Sequence, residues 1–269
     1  MDEGKRQVLE KLGIKVGEPS KGIKYAGRKM GAGLVTFEIT ESHPSWPYLK
    51  SLIVQWDAVD IVWTEFSDSE LKKAHYLRMQ PSWQHGYPQP DGDLGYLEVS
   101  YDLTSYCSSC GVGARQINPI LMKGEPRWGK RHILQLNWIL DEFFVLPEVW
   151  ERVFRPFGIG CLPVLYHRTG KKLNTVVQLD IKSIAPSKLQ LANHPYEICK
   201  VCKRKKYLPF VKGKLPSFTG ALPDAHAVKT QEYFGRGAEA FREIVISSAL
   251  FHEITIHKLK GAEFEPLEK

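Results

Sequence analysis

The sequence predicts an α+β fold with mixed sheets and two strand–helix–strand units, and three observations carry that prediction. Short runs of branched and aromatic residues with strand character are interleaved with segments of helical spacing. The order strand, helix, glycine stop, strand occurs twice in the second half of the chain. Two CxxC pairs, Cys107-Ser-Ser-Cys110 and Cys199-Lys-Val-Cys202, lie far apart, each some way upstream of one such unit. Together they divide the chain into an N-terminal α+β region, residues 1–95, and a metal-binding region, residues 96–269, that holds the duplicated units.

Taken in order, Val8, Leu9 and Leu12 predict a short helix followed by an extended loop. Gly31-Ala-Gly33 lacks the third glycine and the preceding strand of a dinucleotide fingerprint. Leu34–Thr40 alternates as a strand, and His43-Pro-Ser-Trp-Pro47 reads as a proline-broken turn. Leu52–Trp56 and Asp60–Phe66 are rich enough in branched and aromatic residues to predict two more strands. Ser67-Asp-Ser-Glu70 has capping-box spacing. It opens a helix expected from Glu70 to about Met79, with Leu71, Ala74 and Leu77 on its apolar side and Pro81 ending it. Trp83–Asp93 is a turn-rich connector, either a spacer or, through its aromatics and His85, a binding surface. Tyr96–Tyr101 is expected to be a strand leading into the first cysteine pair.

The two units are the clearest elements. In the first, Phe143–Leu146 reads as a strand and Pro147–Phe154 as a helix, with Pro147 at its first position and Val149 and Val153 four apart. Gly158-Ile-Gly160 stops that helix, with Gly160 closing the turn, and Cys161–Leu165 is the returning strand. In the second, Glu243–Ser247 is a strand, and Ser247 or Ser248 caps a helix running to about Leu259. Gly261 and the strand Ala262–Leu267 follow.

Composition limits the chemistry. With 43% hydrophobic and 25% charged residues the chain resembles an ordinary globular protein, and no apolar run is long enough to span a bilayer. The opening Met1-Asp-Glu-Gly-Lys-Arg6 leads into a charged stretch without an apolar core, so a cytoplasmic location is expected. In that reducing compartment clustered cysteines point to metal binding or catalysis rather than disulfides. Cys161, in the apolar stretch Phe157–Leu165, reads as a small buried hydrophobe. The net charge of +7 fits either a nucleic-acid partner or a lysine-rich solvated surface.

Four thiolates in two CxxC pairs close a tetrahedral site, so Cys107, Cys110, Cys199 and Cys202 are the expected ligands of one zinc ion in a two-knuckle zinc ribbon. Gly111 can adopt the left-handed conformation that the turn requires after the second cysteine. Lys203 stands at that place in the second pair, implying strain or a different shape. The long insertion between knuckles is tolerable because loop-closure entropy grows only logarithmically with length. With all four positions filled by sulfur such a zinc would be structural. A redox CxxC and an iron–sulfur cluster are the alternatives, and His194 is a substitute ligand, though Pro195 after it favours a loop role. The basic run Lys200, Lys203, Arg204, Lys205 and Lys206 can offset the charge of the thiolates or contact nucleic acid or a protein partner. Asp180-Ile-Lys182, with Asp91 upstream, has the D-x-K spacing of metal-dependent nucleases. No GxSxG, P-loop or HExxH motif is present.

Cys107-Ser-Ser-Cys110-Gly111, the second CxxC pair and the two strand–helix–strand units resemble the bacterial double-CxxCG motif family over roughly residues 96–267. Glu243–Ser247 through Gly261-Ala-Glu-Phe-Glu-Pro-Leu267 looks like that family's closing unit. The chain departs from the pattern at Lys203, and residues 1–90 have no counterpart. Some members are immunity proteins paired with polymorphic toxins. The resemblance therefore implies a zinc-containing binding protein without catalytic activity, with Cys107, Cys110, Cys199 and Cys202 as ligands and a toxin as protein partner. A nucleic-acid-binding zinc ribbon and a metal-dependent nuclease are the alternative functions, and no membrane partner is expected.

Overall fold

Contact density splits the chain at residues 62/63 into two units, and the computed structural model describes residues 3–18, 21–25, 28–32, 37, 39, 43–56, 64–211 and 213–268. The first unit comprises helix α1 (Glu3–Lys11), the antiparallel strands β1 (Lys21–Tyr25) and β2 (Arg28–Ala32), and helix α2 (Trp46–Gln55). Helix α2 replaces the strand expected at Leu52–Trp56. Pro47 sits in its first turn, and Leu49, Leu52, Ile53 and Trp56 fall on one helical face. That face packs with Leu9 and Ile14, so the helical period outweighs the strand preference of Ile53 and Val54. Of the expected strand Leu34–Thr40 only Phe37, bridged to Val16, and Ile39 are described. The expected strand Asp60–Phe66 lies mostly outside the described residues, and its end, Thr64–Phe66, has no regular structure.

The second unit begins with helix α3 (Asp68–Lys73) and strand β3 (Tyr76–Pro81). The capping box forms as expected: the Ser67 hydroxyl accepts from the Glu70 amide and the Glu70 carboxylate from the Ser67 amide. The helix does not reach Met79. It ends at Lys73 because Leu77 and Met79 alternate inward as a strand, and pairing on both edges of β3 prevails over local helix propensity. Helix α4 (Tyr96–Ser100) corrects the expected strand there; Tyr96 and Ser100, one turn apart, are the buried side, and only Tyr101–Asp102 (β4) is extended. Next come β5 (Arg115–Gln116), β6 (Leu121–Met122), β7 (Ile133–Leu136) and β8 (Ile139–Val145). Helix α5 (Pro147–Val149) continues through a π turn (Trp150–Phe154) and a 3-10 turn (Arg155–Phe157). Strands β9 (Gly160–Tyr166), β10 (Lys172–Asp180), β11 (Tyr196–Ile198), β12 (Lys205–Tyr207), β13 (Ala227–Lys229) and β14 (Ile244–Ser247) follow. Helix α6 (Ser248–Ile256) and β15 (Ala262–Pro266) complete the chain. The helix before β9 is stopped by Gly158, left-handed at φ 73°, rather than by Gly160. Ser247 caps α6 through the Leu250 amide.

Both strand–helix–strand units form, and the sheets reveal a shared arrangement. In the five-stranded sheet, ordered β6-β9-β10-β8-β7, β8 and β9 run parallel with the antiparallel β10 between them. In the four-stranded sheet, ordered β13-β14-β3-β15, β14 and β15 run parallel with the antiparallel β3 between them. Strand β3 therefore binds residues 76–81 into the second unit, on the far side of the 95/96 division that the sequence suggests.

The main core lies between the two sheets, where Val149, Val153 and Phe154 meet Leu250, Phe251 and Ile254 from the other unit's helix. The outer sheet faces are covered as well. Phe144 and Val176 enter a second cluster with Ile120, Leu134 and Val164, while Val228 and Val245 enter a third around Leu215 and Phe234. Burial on both faces explains the continuous apolar runs Phe143–Val145 and Ile244–Ile246. Charged groups also enter the sheet interior: buried Arg78 on β3 makes a bidentate bond to Glu243 (2.7 Å and 2.7 Å) and a further bond to Glu265 (2.9 Å), its partner across the ladder.

Candidate metal centre

Each CxxC lies in a turn that a short antiparallel ladder brackets. Tyr101–Asp102 pairs with Arg115–Gln116 around Cys107 and Cys110. Tyr196–Ile198 pairs with Lys205–Tyr207 around Cys199 and Cys202. The fold brings the two turns together so that all four sulfurs lie within 4.8 Å of one another. The cross-turn distances are 3.8 Å for Cys107–Cys199 and 3.6 Å for Cys110–Cys202. A tetrahedron of sulfurs bound at the usual metal–thiolate length has edges of about 3.8 Å, which the two cross-turn distances match, so the four side chains could hold one metal ion. These separations are far longer than a disulfide bond. Among the described residues this is the one group of three or more His, Cys, Asp or Glu side chains placed to hold a metal.

The two turns share two backbone hydrogen bonds. The Cys107 amide donates to the Val112 carbonyl and the Cys199 amide to the Arg204 carbonyl, both at 3.0 Å. Gly111 donates to Cys107 and Lys203 to Cys199. Gly111 has φ 78° and Lys203 has φ 61°. Lys203 therefore adopts the same left-handed conformation as the glycine, and the second turn keeps the shape of the first at the cost of a Cβ in an unfavourable region. The first turn has no such latitude: a Cβ on Gly111 would lie 2.2 Å from the Ala238 carbonyl oxygen.

The electrostatics of the four thiols differ with their surroundings. Backbone amides of Cys202 and Val201 point at Cys199 and draw its thiol down to about 6, whereas burial pushes Cys110 up to about 12. Cys107 and Cys110 are the buried pair, and Cys199 and Cys202 are half-buried.

The basic run divides into structural and exposed members. Lys206, which the sequence offered either as an offset to the thiolate charge or as a partner contact, is buried, and its ammonium donates to the carbonyls of Cys110 (2.9 Å), Gly237 (2.7 Å) and Glu239 (2.6 Å). Arg204 reaches the carbonyls of Ser105 (2.7 Å) and Val112 (3.0 Å), fastening the second turn to the first. Lys205 lies over the rings of Tyr196 and Tyr207. Lys200 and Lys203 are exposed, beside Ile198 and Val201, which are 58% and 71% exposed.

The remaining candidates are placed elsewhere. His194 stacks on Phe210 at 3.9 Å and bonds the Leu208 carbonyl, outside the sulfur group. Cys161 is half-buried on β9 against the main core, and burial raises its thiol. Asp180 ends β10 and pairs with Lys182, while Asp91 pairs with Lys123. Sequence reasoning passed over Asp141, Glu142 and Lys229, which meet in the interior. The signal available was an acidic pair interrupting the apolar strand Ile139–Val145. No helix among the described residues is long and apolar enough to cross a membrane. No protein-family model matches this chain, and no curated protein matches it.

Proposed function

We propose that the protein is a non-catalytic, zinc-stapled binding protein of the cytoplasm, and that it neutralises a cognate bacterial toxin by docking to it. The observation that carries this reading is the closed set of four sulfurs. A metal so held has no open position for water or substrate, and its chemistry is confined to joining two distant chain segments, in the manner of a zinc ribbon. Sulfurs this close surround a single ion, which favours zinc over a cluster of several irons. Docking is supported by the tip of the second turn, where exposed Ile198 and Val201 stand among the cations Lys200, Lys203 and Lys205. Such a surface suits an apolar patch rimmed by carboxylates. With Arg204 and Lys206 engaged in holding the turns, fewer cations remain for a phosphate backbone, so the nucleic-acid reading ranks second.

Elemental analysis is expected to find about one zinc per chain, and Cys202→Ser is expected to lower zinc content and thermal stability together. Co-expression with a toxin encoded beside its gene is expected to rescue growth, and Val201→Asp to abolish rescue without loss of zinc. A zinc-free protein of unchanged stability would remove the metal. Failure to bind or neutralise any neighbouring toxin, together with steeply salt-dependent nucleic-acid binding, would replace the docking reading with its alternative.

A further inference from the structure

A cleft of about 1520 Å³ opens between the first cysteine turn and the outer face of the five-stranded sheet, and its floor is unusual. Glu142 on β8 and Gln178 on β10 are 8% and 1% exposed. Lys229 bonds Glu142 and lies 3.8 Å from Asp141. Gln178 exchanges two side-chain hydrogen bonds with Gln116. Removing such charges from water is costly, and apolar side chains would fill the space at lower cost, so the group calls for a role beyond packing.

Charge and wall chemistry identify the ligand. Asp141 and Glu142 share one ammonium. The other cations lining the cleft are committed: Arg115 to Asp102, Lys182 to Asp180, and Arg204 and Arg242 to backbone carbonyls. Asp141 is 27% exposed and thus reachable from the cleft. Three aromatic rings line the same cleft, with buried Tyr96 stacked on Trp138 at 6.1 Å and edge-on to Tyr101 at 6.0 Å. Trp138 is 43% exposed. An exposed tryptophan in a cleft that also holds two carboxylates sharing one ammonium supplies the elements of an organic-cation site.

We propose that this cleft binds an organic cation, an alkylammonium or guanidinium group, seated against Asp141 and Glu142 with its apolar stem along Trp138. The electrostatics agree. Burial and the neighbouring Asp141 raise Glu142 to about 7 even though Lys229 opposes them, and a second positive charge would relieve this. The site stands apart from the exposed tip of the second cysteine turn, so it does not depend on the docking reading. The cation can be free or the end of an arginine or lysine side chain on a partner.

Calorimetric titration of the zinc-loaded full chain with butylguanidinium, butylammonium and the uncharged isostere butylurea tests the proposal. Saturable binding of the two cations and none of butylurea is expected. Asp141→Asn, which keeps size and polarity, is expected to weaken binding roughly tenfold or more, the worth of one charge-assisted hydrogen bond. Trp138→Ala is expected to weaken it several-fold, and Lys123→Ala, outside the cleft, to leave it unchanged. A peptide carrying arginine separates the sources: tighter binding than butylguanidinium assigns the site to a partner's side chain, and weaker binding to a free amine. Equal binding of butylurea, no saturation at millimolar concentration, or undiminished binding by a zinc-loaded Asp141→Asn protein would overturn the proposal.

Discussion

Replacing Lys206 by methionine keeps the length and apolar character of the stem and removes three hydrogen bonds at one stroke. The Cys110 carbonyl is buried at its contact with the ammonium, so it is left without a partner, a loss of about 2–3 kcal/mol for a bond to a charged donor. The bonds to Gly237 and Glu239 are less deeply buried. Water can replace part of each, so each contributes about 1 kcal/mol. Against this, an ammonium no longer has to be held out of water, which offsets part of that loss. The net expectation is a destabilisation of about 3 kcal/mol, or a fall in Tm of roughly 6–12 °C for a unit of about 200 residues. Because the same ammonium holds the 237–239 segment against Gly111, affinity of the four-sulfur site for a metal ion is expected to fall as well. Thermal unfolding followed by circular dichroism, with a chromophoric chelator competing for the metal, measures both. If Lys206→Met leaves Tm and zinc affinity unchanged while weakening binding to a partner, Lys206 is a contact residue and the structural account of it is wrong.

Two further predictions concern backbone shape and pH. Gly111→Ala is expected to cost several kcal/mol and most of the bound metal, since left-handed strain of about 1–2 kcal/mol adds to the collision with the Ala238 carbonyl. Lys203→Gly, in the equivalent conformation but exposed, is expected to stabilise by up to about 1 kcal/mol, because relief of strain exceeds the extra chain entropy of glycine. Urea melts of both variants provide the comparison, and equal effects would refute the equivalence of the turns. For Glu142, the folded-state carboxyl is raised from 4.5 to about 7, so the folded protein binds a proton more tightly than the unfolded chain. Its contribution to stability is therefore greatest below pH 4.5, falls as pH rises toward 7, and changes by on the order of 3 kcal/mol. Glu142→Gln is expected to flatten that slope in urea melts taken across pH, and a carboxyl midpoint near 4.5 measured by NMR would contradict the assignment.

Much of the local structure was legible. The capping box at Ser67 and the Ser247 cap needed only short-range hydrogen bonds; the first unit declared itself through Pro147 and the spacing of Val149 and Val153, and the second through Ser247 and Gly261. Errors fell where local preference and tertiary pairing disagree. Leu71, Ala74 and Leu77 have helical spacing, yet β3 is a strand because two distant strands claim its edges. Ile53 and Val54 favour a strand, yet a helical face was available to cover Leu9. Tyr96–Ser100 is too short for its period to discriminate.

By itself the sequence determined the four sulfurs, the turn residues beside them and the existence of two strand–helix–strand units, because ligand chemistry, caps and periodicity act over a few neighbouring residues. Only the tertiary structure decided that β3 fills the gap between β14 and β15 as β10 does between β8 and β9. It also decided that Lys206 is buried while Lys200 is exposed, and that Asp141, Glu142 and Lys229 meet in a cleft that aromatic rings also line. Those outcomes depend on which faces can be covered together and which carbonyls are left needing donors. Both are properties of segments distant in sequence that become neighbours only when the chain folds.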